Sequence, residues 1–173
     1  MNKTILIGMT AIAFSLGACG RKVPPTNPLP PTTDTADSGT AVDPNADVDL
    51  VELPAMQADL VAKAGSDTVY FGTDEHLLDD AARSTLAAQA RWMLANPAVR
   101  ASIEGHADER GTREYNTALG ERRANAARDY LVTQGVPAAR LLVVSWGKER
   151  PLAIGSTEQA WAQNRRVVTV VVR

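Results

Sequence analysis

The chain has 173 residues with 18 basic and 20 acidic side chains, a formal net charge of −2 that argues against general nucleic-acid binding. Hydrophobic residues make up 45% and aromatics only 5%, so the core has to be aliphatic, built from Val, Leu, Ile and Ala. A single cysteine excludes an intramolecular disulfide framework.

Lys3 and the uncharged stretch ILIGMTAIAFSLGA (5–18) have the charge and hydropathy of a secretory signal, and the apolar run is short for a membrane span. It ends in Leu16-Gly17-Ala18-Cys19. This run resembles a bacterial lipobox, in which the cysteine becomes the acylated N-terminus after cleavage. The resemblance implies a signal peptide over 1–18 and lipidation at Cys19. Several acyl chains would anchor the chain firmly, since each buried methylene contributes ~0.8 kcal/mol. Gly20 and Arg21, in place of the aspartate that retains such proteins in the inner membrane, imply an outer-membrane location facing the periplasm.

Residues 19–53 read as a spacer. Six of the ten prolines fall here (Pro24, Pro25, Pro28, Pro30, Pro31 and Pro44) among Thr, Asp, Ser and Gly, with no aromatic residue. Such a segment cannot bury enough apolar surface to offset its ordering entropy. As a polyproline-like segment it would reach roughly 100 Å, and as a flexible coil about 30–35 Å.

The folded domain is expected over 54–173. A short helix is expected from Pro54, suited to a first turn, to Ala64. SDTVYFG (66–72) has strand composition. DDAARSTLAAQARWMLANP (79–97) repeats Ala82, Leu86, Ala90 and Met93 at helical spacing, with Asp79 or Asp80 as a cap and Pro97 as a stop. VRASIEGHA (99–107) alternates as a strand. Thr112 is the expected N-cap of a helix over 113–134 closed by Gly135 and Pro137. LLVVSWG (141–147) is the next strand. Ser156 and Gln159 form a capping-box pattern for a short helix ending near Asn164. VVTVVVR (167–173), almost continuously β-branched, suits a central or doubly covered strand. The order β-α-β-α-β-(α)-β predicts an α+β domain with helices packed on a four-stranded mixed sheet.

Within this frame Arg123 stands out. On a 3.6-residue period it falls on the apolar stripe formed by Leu119, Ala126, Ala127, Tyr130 and Leu131. An unpaired buried charge costs several kcal/mol, so it needs a partner. Asp108, just past the second strand, is the nearest candidate by sequence. The pair could be a structural ion pair fixing the connection. It could equally be a split site, with Asp108 receiving an ammonium and Arg123 gripping a carboxylate, the two poles of an amino-acid centre. Two rivals use neighbouring residues. Glu104, His106, Asp108 and His76 could ligate a metal, although nearby arginines oppose a cation. Ser102, His106 and Asp108 could be read as a hydrolytic triad, but they lie along one strand and no nucleophile-elbow sequence is present.

GHADERGTREYNTALGERRANA (105–126) strongly resembles the signature of the OmpA-like C-terminal domain, and more narrowly the peptidoglycan-associated lipoproteins. VYFGTD (69–74), SWGKERP (145–151) and NRRV (164–167) match further blocks in the same order. The resemblance spans roughly 67–173, and the lipobox and spacer complete the architecture. It implies noncovalent, non-enzymatic binding of peptidoglycan through the meso-diaminopimelate of the stem peptide, with no metal or cofactor. By motif, Asp108 contacts the ammonium, Arg123 the carboxylate, and Asn116 adds a side-chain hydrogen bond. Thr73, Asp74 and Ala107 contribute main chain, and Leu119 lines the pocket. Thr73 departs from the phenylalanine that many relatives carry before this aspartate. The resemblance also implies TolB and the Tol complex as partners, with a role in envelope integrity and outer-membrane constriction at division. The alternative is an OmpA-like lipoprotein whose wall binding regulates a signalling partner.

Overall fold

The computed structural model describes residues 46–173. The signal segment, Cys19 and the spacer up to residue 45 lie outside the described residues. The elements run α1 (Ala46–Ala64), β1 (Thr68–Tyr70), α2 (Asp80–Ala95), β2 (Arg100–His106), α3 (Arg113–Thr133), a 3₁₀ turn (Ala138–Arg140), β3 (Leu141–Gly147), α4 (Glu158–Asn164) and β4 (Arg166–Val172). This is the expected α+β domain. Among the described residues no helix is long and apolar enough to cross a membrane.

The four strands form one mixed sheet in the order β1-β4-β2-β3. The β-branched β4 lies inside it, antiparallel to both β1 and β2, while β3 pairs parallel with β2. Val69, Ala101, Ile103, Leu141, Val167 and Val171 meet α2 and α3 in an aliphatic core that includes Leu86, Ala90, Met93, Ala127 and Leu131. The stripe expected on α2 is buried in full.

Three local signals act as their chemistry dictates. The Asp79 carboxylate accepts from Ala82 N–H at the start of α2. The Thr112 hydroxyl accepts from Tyr115 N–H at the start of α3. Gly135, at φ 98°, ends α3 with Val136 N–H returning to the Leu131 carbonyl.

Two boundaries differ from expectation. The first helix begins at Ala46, so Pro54 lies in its interior and forfeits one backbone bond. Tertiary contacts hold it: Leu60 is buried, Leu53 and Met56 pack on the core, and the Trp92 indole donates to Asp59 at 2.8 Å. Gln57 also completes the sheet. β1 stops pairing at Thr68, and beyond it the Gln57 amide donates to Thr169 O at 3.0 Å and accepts from Val171 N–H at 2.8 Å, as a strand would. The fourth helix is capped by Thr157 rather than Ser156, its hydroxyl accepting from Ala160 N–H. On α3, Ala126 and Tyr130 are only half-buried, whereas Gly120 and Ala124 face the sheet.

The feature that positions the site is the crossing of α3 over β2. A Cβ at Gly105 would run into the Gly120 carbonyl, and one at Gly120 would lie 2.5 Å from Ser145 Oγ. Helix and strands therefore touch backbone to backbone, and Arg123, less than one turn beyond Gly120, passes beneath the end of β2.

Candidate ligand-binding site

Arg123 is fully buried. Its Nε donates to Glu75 O at 2.7 Å, Nη1 to His106 O at 2.9 Å and Nη2 to Gly72 O at 3.0 Å. The Phe71 ring centroid lies 5.3 Å from its guanidinium carbon. Three of its five N–H groups are thus committed to neutral carbonyls, leaving one hydrogen on each terminal nitrogen. Among the described residues no carboxylate forms a contact ion pair with it. Burial pushes its pKa down to about 10, a shift that Arg165 reinforces and the charges of Asp108 and Asp74 oppose, so it stays cationic at neutrality.

Of the two readings left open for Asp108 and Arg123, the structure does not form the direct ion pair. Asp108 is 7% exposed and is held by other arginines. Oδ1 accepts from the Arg110 backbone N–H and Nε, each at 3.1 Å. Oδ2 accepts from Arg110 Nη2 at 2.6 Å and Arg165 Nη1 at 3.4 Å. Burial opposes the carboxylate charge, but the bonds and charge from Arg110, with Arg165, leave its pKa below the ordinary aspartate value. Arg165 is fixed in turn by Phe71 O at 3.1 Å and Glu158 at 2.7 Å.

Asp108 and Arg123 nevertheless share one open cavity of ≈360 Å³. Thr73, Asp74, Asn116 and Leu119 line it too, so six of the seven expected site residues converge. Ala107 does not: it is buried, gives its N–H to Gly147 O at 2.8 Å and lines a neighbouring cavity of ≈220 Å³. Asp74 adopts a positive φ of 59°, sparsely used by residues other than glycine, and accepts a hydrogen bond from the Tyr115 hydroxyl. The buried Asn116 amide donates to Arg110 O at 2.7 Å and so fixes the loop between β2 and α3. Leu119 supplies an apolar wall.

Sequence reasoning missed Arg110, Gly111 and Tyr115, which complete the lining. Arg110 was within reach, two residues past Asp108. Arg165 lies in the NRRV block, which gave no hint of a contact with Asp108, and Trp161, whose ring lies 4.2 Å from the Arg110 guanidinium carbon, carried no local signal. The rival constellations do not assemble. Glu104 accepts from the Trp146 indole at 2.6 Å, His106 faces Arg166 and Arg150, and His76 lines a separate groove beside α3.

The fold and this cavity, walled by a buried cation and a neighbouring carboxylate, define an OmpA-like α+β domain. Residues 70–165 match the OmpA family, and the chain belongs to that family. It is similar to the peptidoglycan-associated lipoprotein of Agrobacterium fabrum, 49% identical over 118 residues covering 68% of this chain and 66% of that protein. That of Pseudomonas putida is 48% identical over 143 residues, covering 78% of this chain and 81% of that one. The crystal structure of the peptidoglycan-associated lipoprotein from Burkholderia pseudomallei superposes with a TM-score of 0.61 at 42% identity, over 62% of this chain and 92% of that one. The C-terminal domain of Helicobacter pylori MotB, at 18% identity and a TM-score of 0.57 over 62% of this chain and 84% of that one, shares the fold.

Proposed function

We propose that this protein is a lipid-anchored, non-enzymatic clamp between the outer membrane and the cell wall, binding peptidoglycan through the meso-diaminopimelate side chain of the stem peptide. That side chain ends in an ammonium and a carboxylate on one carbon. Arg123 receives the carboxylate on its two remaining N–H groups, a planar fork suited to two oxygens. Asp108 receives the ammonium. Asn116 and the Thr73–Asp74 segment fix the walls, Leu119 covers the methylenes, and Ala107 acts through its main chain. The observation that carries this reading is Arg123 itself: a fully buried guanidinium, without a contacting carboxylate among the described residues, on the wall of an open cavity shared with Asp108.

The clamp is held to the outer membrane by acylation at Cys19, after removal of residues 1–18, and residues 19–45, the part of the expected spacer that precedes α1, set its reach into the periplasm. Names of relatives and the OmpA family support wall binding at the envelope. TolB and the Tol complex are the proposed partners, and outer-membrane constriction at division the proposed role. Many weak contacts against a repeating polymer hold through effective concentration rather than single-site affinity.

The test varies the ligand, because it leaves the protein intact. Calorimetric titration with a stem tripeptide ending in meso-diaminopimelate should show binding. The same peptide ending in lysine lacks the side-chain carboxylate and should bind at least tenfold more weakly, the loss of one charge-assisted bond worth about 1.5–3 kcal/mol. Equal affinities would overturn the assignment. Cys19→Ser should move the protein from the membrane fraction to the soluble one while it still pellets with sacculi.

A further inference from the structure

Asp108 is the group that the proposed function assigns to the ligand ammonium, and its lone pairs are already engaged. A carboxylate offers about four acceptor positions. Arg110 takes three of them, through its backbone N–H, Nε and Nη2, and Arg165 takes the fourth. An ammonium reaching Asp108 has to displace one of these donors.

The two arginines are not equally free to yield. The Arg165 side chain is 7% exposed and is tied to Phe71 O and Glu158 as well. The Arg110 side chain is 38% exposed, and its other contacts are Thr73 Oγ1 at 3.4 Å and the Trp161 ring at 4.2 Å. Its backbone is fixed independently, since its N–H bonds Asp108 and its carbonyl accepts from Asn116. Side-chain rotation alone therefore frees two acceptor positions without moving the loop. A destination lies close by. The charges of Glu158 and Glu109 already act on the Arg110 guanidinium, and the Trp161 indole donates to Glu109 at 3.0 Å.

Resting on the reading of the cavity given above, we propose that Arg110 is a displaceable guard of the ammonium subsite. The ligand ammonium exchanges with its guanidinium on Asp108, and Arg110 swings toward Glu158 along the face of Trp161. The exchange swaps one cation for another on the same carboxylate, so the charge of the site is conserved. The guard lowers apparent affinity, because the site accepts the ammonium only in the fraction of time that Arg110 is away from Asp108. The result is a releasable hold.

The test titrates full-length, detergent-solubilised protein with the diaminopimelate tripeptide, and with the same tripeptide acetylated on the side-chain amine of diaminopimelate. Arg110→Gln should bind the free-amine peptide roughly two- to fivefold more tightly than wild type, the range expected for loss of a partly exposed competing ion pair. In the wild type, the Arg110 Nε–H resonance should shift on addition of the free-amine peptide and stay in place with the acetylated one. Matching urea midpoints establish that Arg110→Gln folds. Weaker or unchanged binding by a folded Arg110→Gln would overturn the guard while leaving the site assignment standing. A wild type that fails to distinguish free from acetylated amine would overturn both.

Discussion

Lowering the pH from neutrality to about 4 should destabilise this domain by about 3 kcal/mol through one side chain, His106. The imidazole lies at the end of β2 with 3% of its surface exposed, and its Nδ1 has no hydrogen-bond partner among the described residues. Burial first, then the charges of Arg166 and Arg150, push its pKa down from 6.5 to about 4, against a weaker hydrogen bond to the Arg150 backbone. The unfolded chain takes up the proton near the ordinary value, and the folded one only near 4. Between those values the unfolded state holds more protons, so stability rises with pH. The contribution is fully present above about 6.5 and is lost as the pH falls toward 4. The gap between 6.5 and about 4, at about 1.36 kcal/mol for each pH step and less near its lower end where the folded imidazole begins to protonate, gives a figure of this size. Asp59 and Asp108, whose pKa values are lowered, add their own losses only at still lower pH. Urea midpoints measured across this range should fall steeply in the wild type and much less in His106→Gln, which has no proton to gain. Parallel curves for the two proteins would refute the reasoning.

Three substitutions probe other parts of the structure. Arg123→Lys keeps the charge but cannot reach three carbonyls at once. It should lower stability by about 2–3 kcal/mol and weaken wall binding, read from melting and from pelleting with sacculi. An unchanged melting temperature would mean the Gly72–Glu75 loop does not depend on it. Gly105→Ala forces a methyl against the Gly120 carbonyl and should destabilise by about 2–3 kcal/mol or more, measured by denaturant titration. Gln57→Ala leaves Thr169 O and Val171 N–H without their side-chain partners and should destabilise by about 1–3 kcal/mol, with faster amide exchange at Val171 than in the wild type.

Much of the fold was legible because periodicity reports burial. The α2 stripe states which face meets the core, and the β-branched run of β4 states that the strand lies inside the sheet. Asp79, Thr112 and Gly135 work within a few residues, so their roles could be read locally. Arg123 was legible as an anomaly, a cation on an inward face. Its partners were not, because they are three backbone carbonyls, and a carbonyl has no residue type to mark it. Which of the two readings of Asp108 and Arg123 would hold was illegible for a related reason. Arg110 and Arg165 reach Asp108 first, one by a local turn and the other from 57 residues away. Pro54 misled because a helix pinned by Leu60, Gln57 and Trp92 tolerates the lost bond that a free helix would not.

The place of β4 has a bearing on how the molecule is made. Of the four strands it is the last to be synthesised, yet it is the one that both β1 and β2 must bond along an edge. Thr68 waits for Val168, a hundred residues further on. Until that strand arrives, β1 has no neighbour at all, and only the local β2-α3-β3 unit can form. Such long-range closure makes folding slow and keeps the nascent sheet open.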